Sequence, residues 1–170
     1  FDPTPFSRYT KDVTFELHMM VDNPIQYLKP FADAGFRRFL GHIEQMPDQE
    51  EFVAKGQALG EVGLAIDGPT PLSAIKVPYS DLDCVLVMTI LAGESGQTFK
   101  PEYLEKVETL RQAQGQFLTI EIDGGINDAT IVEAKNAGAN RFISTTFIFN
   151  PLKDSGPQAQ FNLLKEIIQQ

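Results

Sequence analysis

The sequence has 170 residues, 42% of them hydrophobic, a formal net charge of −9 and one cysteine. That length suits a single domain, residues 1–170, with a buried core, and the acidity excludes a nucleic-acid backbone as partner. No apolar run approaches the ~20 residues of a membrane span, no signal-peptide pattern opens the chain, and Cys84 cannot form an internal disulfide. A cytoplasmic protein that meets neither nucleic acid nor membrane is the expectation.

In chain order, Phe1 to Tyr9 carries two prolines and reads as a loop. Val13 to Met20 is an apolar-rich strand ending in His18-Met19-Met20. Asn23 and Pro24 supply a cap and a first-turn proline for a helix reaching about Ala34, where Gly35 stops it. Arg38 to His42 is a short strand that leads into Ile43-Glu44. Asp48, with Glu51 three residues on, is a capping-box pattern that opens a helix to about Leu59. Glu61 to Ile66 is the next strand, Asp67-Gly68-Pro69 its turn, and a short helix comes after Pro71.

Cys84 to Ile90 is a strand, followed by the small-residue loop Leu91 to Gln97. A helix runs from about Pro101 to Gln114 and ends at Gly115. Leu118 to Ile122 is a run of β-branched and apolar residues that stops at Asp123. Gly124 and Gly125 come next, before a helical pattern opens at Asn127 and continues to about Ala137, with Gly138 as its stop. Arg141 to Ser144 is a strand, Thr145 to Phe149 turns out of it, and a last helix ends near Ile168.

A carboxylate at the end of a buried strand, followed by two glycines and a helix start, is the geometry of a site. Glycines let a ligand approach the backbone closely, and their N–H groups can face an anion. The plainer reading makes Asp123 the cap of a tight strand-to-helix turn. Six strands, each followed by a helix or helical turn, argue for a parallel sheet. Polar residues and glycines fall at the carboxyl ends of the strands, where α/β barrels place their sites. An open doubly wound sheet fits the same count, although no G-x-G-x-x-G comes after the first strand.

Taken together, the strand ends resemble the ribulose-phosphate 3-epimerase family. Glu16-Leu17-His18-Met19-Met20-Val21 followed by Asn23-Pro24 stands where the family has a D-V-H-L-M-V run. His42-Ile43-Glu44 matches its H-x-E strand end, and Leu82-Asp83-Cys84-Val85-Leu86-Val87-Met88-Thr89 its L-D-x-V-L-V-M-T strand. Gly93, Gly96, Gln97 and Phe99 match positions of its N-P-G-F-G-G-Q-x-F loop. Glu121-Ile122-Asp123-Gly124-Gly125-Ile126 matches its V-D-G-G-I signature, and Ala137-Gly138-Ala139 precedes the last strand as in the family. Phe1-Asp2-Pro3-Thr4 resembles the F-V-P-N found after the family's second strand. The expected fold is therefore a TIM (β/α)8 barrel of the ribulose-phosphate-binding type, with about six βα units in this chain and two preceding it.

The resemblance implies a metal-dependent 3-epimerase of a ketose phosphate in the pentose phosphate pathway. Ribulose 5-phosphate and xylulose 5-phosphate are the expected pair, interconverted through an enediolate by aspartate-mediated proton transfer. It assigns His18 and Asp123 as ligands of a divalent metal (zinc, iron, manganese or cobalt) and Asp123 as catalytic acid/base. A second histidine and the partner aspartate belong to an H-x-D-x-M-D-G motif that this sequence does not contain.

Met20 and Met88 are expected to line the reaction centre, or else to fill the barrel. Gly93, Gly96, Gly124, Gly125, Thr145 and Thr146 are expected to hold the substrate, and the protein to be a homo-oligomer. Glu16 shares a strand face with His18 and is a candidate to orient it, while His42 is expected near the site without binding metal. The phosphate loops depart from the family, with Leu91-Ala92 for N-P, Glu94 and Ser95 for an apolar residue and a glycine, and Thr145-Thr146 for G-S. Two alternatives stand beside the main reading: an allulose 6-phosphate type of 3-epimerase, and a non-catalytic relative that binds a sugar phosphate.

Overall fold

A computed structural model of the chain describes residues 1–93, 97–150 and 155–169. They divide into two compact units, Phe1–Ile66 with Thr70–Val85, and Asp67–Pro69 with Leu86–Gln170. The strands succeed one another in chain order, and β4 (Cys84–Met88) contributes two residues to the first unit and three to the second.

The first unit holds β1 (Glu16–Met19), α1 (Ile25–Asp33), β2 (Arg38–His42), α2 (Gln49–Gln57) and β3 (Glu61–Ile66). β1 pairs with β2 and β2 with β3, both in parallel, with His18 opposite Leu40 and His42 opposite Ala65. Every residue of β3 after Glu61 is buried, as in a parallel strand covered on both faces. Phe39, Leu40, Phe52, Val62, Leu64 and Ile66 form its core, none more than 1% exposed. Asp48 caps α2, its carboxylate accepting the Glu51 N–H at 2.9 Å, while the Glu51 side chain pairs with Lys55 at 2.6 Å.

Three expectations about this unit are corrected. Phe1 to Tyr9 is not a loop throughout, because Thr4–Tyr9 is a 3-10 helix. Pro3 and Pro5 preset its first turn, and the Phe6 ring packs edge-on against Phe15 and Phe36. The first strand begins at Glu16, not Val13, because the amides of Asp12 and Val13 are both taken by the Tyr9 carbonyl. After β3 the short helix expected beyond Pro71 is two 3-10 turns, Leu72–Ala74 and Tyr79–Asp81.

The second unit holds the rest of β4, α3 (Leu104–Gln114), β5 (Thr119–Asp123), α4 (Thr130–Ala137), β6 (Arg141–Ile143) and α5 (Gly156–Gln169). β5 and β6 pair in parallel, Glu121 opposite Arg141, and that register sets a buried carboxylate 3.4 Å from a half-buried guanidinium. Leu86, Val107, Leu110, Ile120, Ile122, Ile131 and Ala134 form the core. Lys106 ties the Asp67–Pro69 segment down by donating to the Asp67 carbonyl at 2.9 Å and to that of Gly68. α4 starts three residues later than the helical pattern suggested, and Asn127 instead forms the turn that leads into it, its side-chain oxygen accepting the N–H groups of Ala129 and Thr130.

Candidate active site

In the first unit the site residues lie at the carboxyl ends of β1 and β2. His18 is half-buried and His42 is 5% exposed. Their Nε2 atoms stand 2.8 Å apart, and His42 Nδ1 is 3.2 Å from a carboxylate oxygen of Glu44. Parallel pairing of His18 with Leu40 puts His42, two residues further along β2, on the same face as His18. A contact between residues 24 apart in sequence results from that register. Met20, also expected here, lies just past the end of β1 and is 43% exposed.

In the second unit β5 delivers Asp123, half-buried, to its carboxyl end. Thr89, fully buried after β4, fixes the turn after β5. Its N–H donates to the Asp123 carbonyl at 2.8 Å and its hydroxyl to the Gly124 carbonyl at 2.5 Å. Gly124 and Gly125 adopt φ of +123° and +67°, a region that L side chains rarely enter. A Cβ on Gly124 would lie 2.8 Å from Ile90 Cγ1, and one on Gly125 the same distance from the Phe99 amide nitrogen. The turn has to be glycine twice.

Beyond this turn lies a cavity of about 320 Å³. Asp123, Gly124, Gly125, Thr145 and Thr146, five of the residues singled out in the sequence, all line it. Gln97, Phe99, Asn127, Phe147 and Asn150 line it too. Gln97 and Phe99 stand in the loop pattern, but nothing in the sequence singled out Phe147 or Asn150. Asp123 is the only charged residue among the described lining residues, which otherwise include the hydroxyl-bearing Thr98, Thr145 and Thr146 and the amide-bearing Gln97, Asn127 and Asn150. Met88 is 1% exposed and outside the described lining, as is the exposed Gly93. Gly96 lies outside the described residues, as do Glu94 and Ser95.

An imidazole nitrogen and a carboxylate oxygen suit a borderline divalent ion in kind. Among the described residues no group of three or more His, Cys, Asp or Glu side chains is placed to hold a metal. No described helix is long and apolar enough to cross a membrane.

Residues 6–149 match the sequence profile of the ribulose-phosphate 3 epimerase family. This chain belongs to that family. A ribulose-phosphate 3-epimerase of Schizosaccharomyces pombe is 39% identical over 146 residues, which cover 85% of this chain and 64% of the yeast protein. One from Mycobacterium bovis is 34% identical, covering 81% of this chain and 62% of its own length. The cytoplasmic isoform of Oryza sativa is 38% identical, with 79% and 60% covered. This family member thus spans less than two thirds of the length of these relatives.

Among solved structures, KGPDC from Streptococcus mutans in complex with D-R5P superposes with a TM-score of 0.74 at 13% identity, covering 98% of this chain and 78% of the other. A 3-hexulose-6-phosphate synthase from Salmonella typhimurium gives 0.70 at 13% identity, with the same shares covered. At such identities the likeness is one of fold. The fold is that of the TIM barrel, of which the described residues carry six strands.

Proposed function

We propose that this chain carries part of the site of a ketose-phosphate 3-epimerase, with D-ribulose 5-phosphate and D-xylulose 5-phosphate as its pair. The observation that supports this most directly is Asp123 on the wall of a cavity whose other walls are the Gly124-Gly125 turn and Thr145-Thr146. Family membership supports it independently.

In this reading the carboxylate of Asp123 takes the proton from C3, beside the C2 ketone. The C–H electron pair moves into the C2–C3 bond and the carbonyl π pair moves onto O2, giving the enediolate. A proton from a second acid, which the family resemblance assigns to the partner aspartate of a motif this sequence does not contain, then adds to the opposite face of C3 as the O2 pair re-forms the carbonyl, and the epimer results. Hydroxyls of Thr145 and Thr146 and the amides of Gly124 and Gly125 hold the phosphate, so that C3 stays within reach of the carboxylate. The divalent ion, with His18 and Asp123 as donors, belongs to the proposal, and when bound it supplies electrostatic stabilisation of charge on the substrate oxygens. So do Met20 and Met88 as apolar lining, Gly93 and Gly96 as substrate contacts, a homo-oligomeric state and a cytoplasmic location, the last also borne by the rice relative described as cytoplasmic.

A second reading, a sugar-phosphate-binding relative without turnover, draws support from the Thr145-Thr146 pair where the family has G-S. The test is epimerisation of ribulose 5-phosphate and of allulose 6-phosphate, tracked by NMR, with binding of each measured by calorimetry and metal content by atomic spectroscopy. Turnover of the pentose phosphate that Asp123→Asn abolishes supports the main reading. Preferential turnover of the hexose phosphate moves the substrate class, and binding without turnover installs the second reading.

A further inference from the structure

The chain has two histidines, and they touch. Their rings lie within 10° of parallel with centroids 5.0 Å apart, while the two Nε2 atoms are 2.8 Å apart. That combination means an edge-to-edge meeting in a common plane, because the centroid separation is close to the N–N distance plus the two ring radii. One Nε2 must carry a proton and the other a lone pair, and the bond between them is well aligned.

The carboxylate of Glu44 decides which. An ionised carboxylate only accepts, so the nitrogen that meets it, His42 Nδ1, has to be the protonated one. A neutral imidazole carries a single N–H, which leaves the lone pair of His42 on Nε2. His18 Nε2 is then the donor across the 2.8 Å contact. The opposite polarity would set a lone pair on His42 Nδ1 against a carboxylate oxygen at 3.2 Å. His42 is 5% exposed and can hardly trade these partners for water.

We propose that Glu44, acting through His42, is a positioning residue that holds His18 in its Nε2–H tautomer, with the lone pair on Nδ1. Any group that meets His18 through its lone pair meets it at Nδ1. In the epimerase reading, on which the functional meaning rests, this fixes how the β1 imidazole presents itself. The tautomer itself does not depend on that reading.

The experiment is a long-range proton–nitrogen NMR correlation of the imidazole rings in the ¹⁵N-labelled chain. It is run near pH 9, well above the ordinary imidazole value of about 6.5. His42→Gln assigns the two spin systems by leaving one. The expected spectrum has His42 protonated at Nδ1 and His18 at Nε2. Glu44→Ala, in a side chain only 26% exposed but on a loop after β2, is expected to mix the two tautomers on both rings. Its backbone amide spectrum reports whether the fold is kept. If Glu44→Ala unfolds the chain, Glu44→Lys, long enough to reach the surface, replaces it, with the same mixing expected. Either His18 protonated at Nδ1 in the parent chain, or unchanged tautomers in a folded Glu44 variant, overturns the proposal. Epimerase activity enters neither outcome, so failure of the functional reading leaves this result standing, and the reverse.

Discussion

The backbone N–H of Thr89 donates to the carbonyl of Asp123 over 2.8 Å, so the end of β4 fixes the direction in which β5 delivers its carboxylate. The Thr89 hydroxyl extends the tie one residue further, to the Gly124 carbonyl. The Thr89 carbonyl in turn accepts the Lys100 N–H at 2.9 Å, which brings the chain back from the loop after β4. One buried residue thus holds three segments at the rim of the cavity.

Replacing that hydroxyl by a methyl group isolates its contribution. Thr89→Val keeps the shape and the backbone bonds but removes the donor from the Gly124 carbonyl. A stability loss of about 1–3 kcal/mol is expected, the usual cost of stranding a buried polar group. Thr89→Ser, which restores the hydroxyl, should recover most of it. Urea unfolding reads this as a lower midpoint at unchanged slope for the valine variant. A valine variant as stable as the parent would show the hydroxyl bond to be immaterial.

The glycine turn gives a sharper contrast. Gly124→Ala combines a positive φ with a contact to Ile90 at 2.8 Å. Unfavourable backbone conformation and overpacking each cost about 1–3 kcal/mol. Gly115→Ala is the comparison, because open space surrounds that position and only the backbone term applies. The expected order is a much larger fall in melting temperature for Gly124→Ala. Equal falls would mean that Ile90 moves aside.

These local features were legible because each is written in neighbouring residues: a strand, a carboxylate, two glycines, a helix start. The Asp48 cap was legible for the same reason. Contacts set by register were not. His18 and His42 are 24 residues apart, and Thr89 and Asp123 are 34 apart, so neither pair leaves a local pattern. The 3-10 helix at Thr4–Tyr9 was missed because prolines signal a turn and say little about the conformation of the residues after it. Its packing against Phe15 and Phe36 decides the outcome from further along the chain.

The helix cap offers a test away from the site. Asp48→Ala removes the acceptor of the Glu51 amide and should cost about 1 kcal/mol. Asp48→Asn or Asp48→Ser, which can still accept that N–H, should cost less. Chemical denaturation of the three variants orders them, and an alanine variant equal to the other two would remove the cap from the account of α2.

Asp123 carries the functional reading, so its replacement is the decisive variant. Asp123→Asn keeps the side-chain shape, and the backbone ties to Thr89 do not involve the carboxylate. An amide cannot act as a base at C3, and removing a positioned general base typically lowers the rate by about 10²–10⁴-fold. The sensitive assay is exchange of the C3 proton of ribulose 5-phosphate with deuterium from solvent, because it registers proton removal even where no epimer forms. Loss of exchange at an unchanged melting temperature assigns the chemistry to the carboxylate. Loss of both says that Asp123 holds the turn together instead. Exchange that survives in a folded Asp123→Asn chain places the base elsewhere and leaves the cavity as a binding site for the phosphate alone.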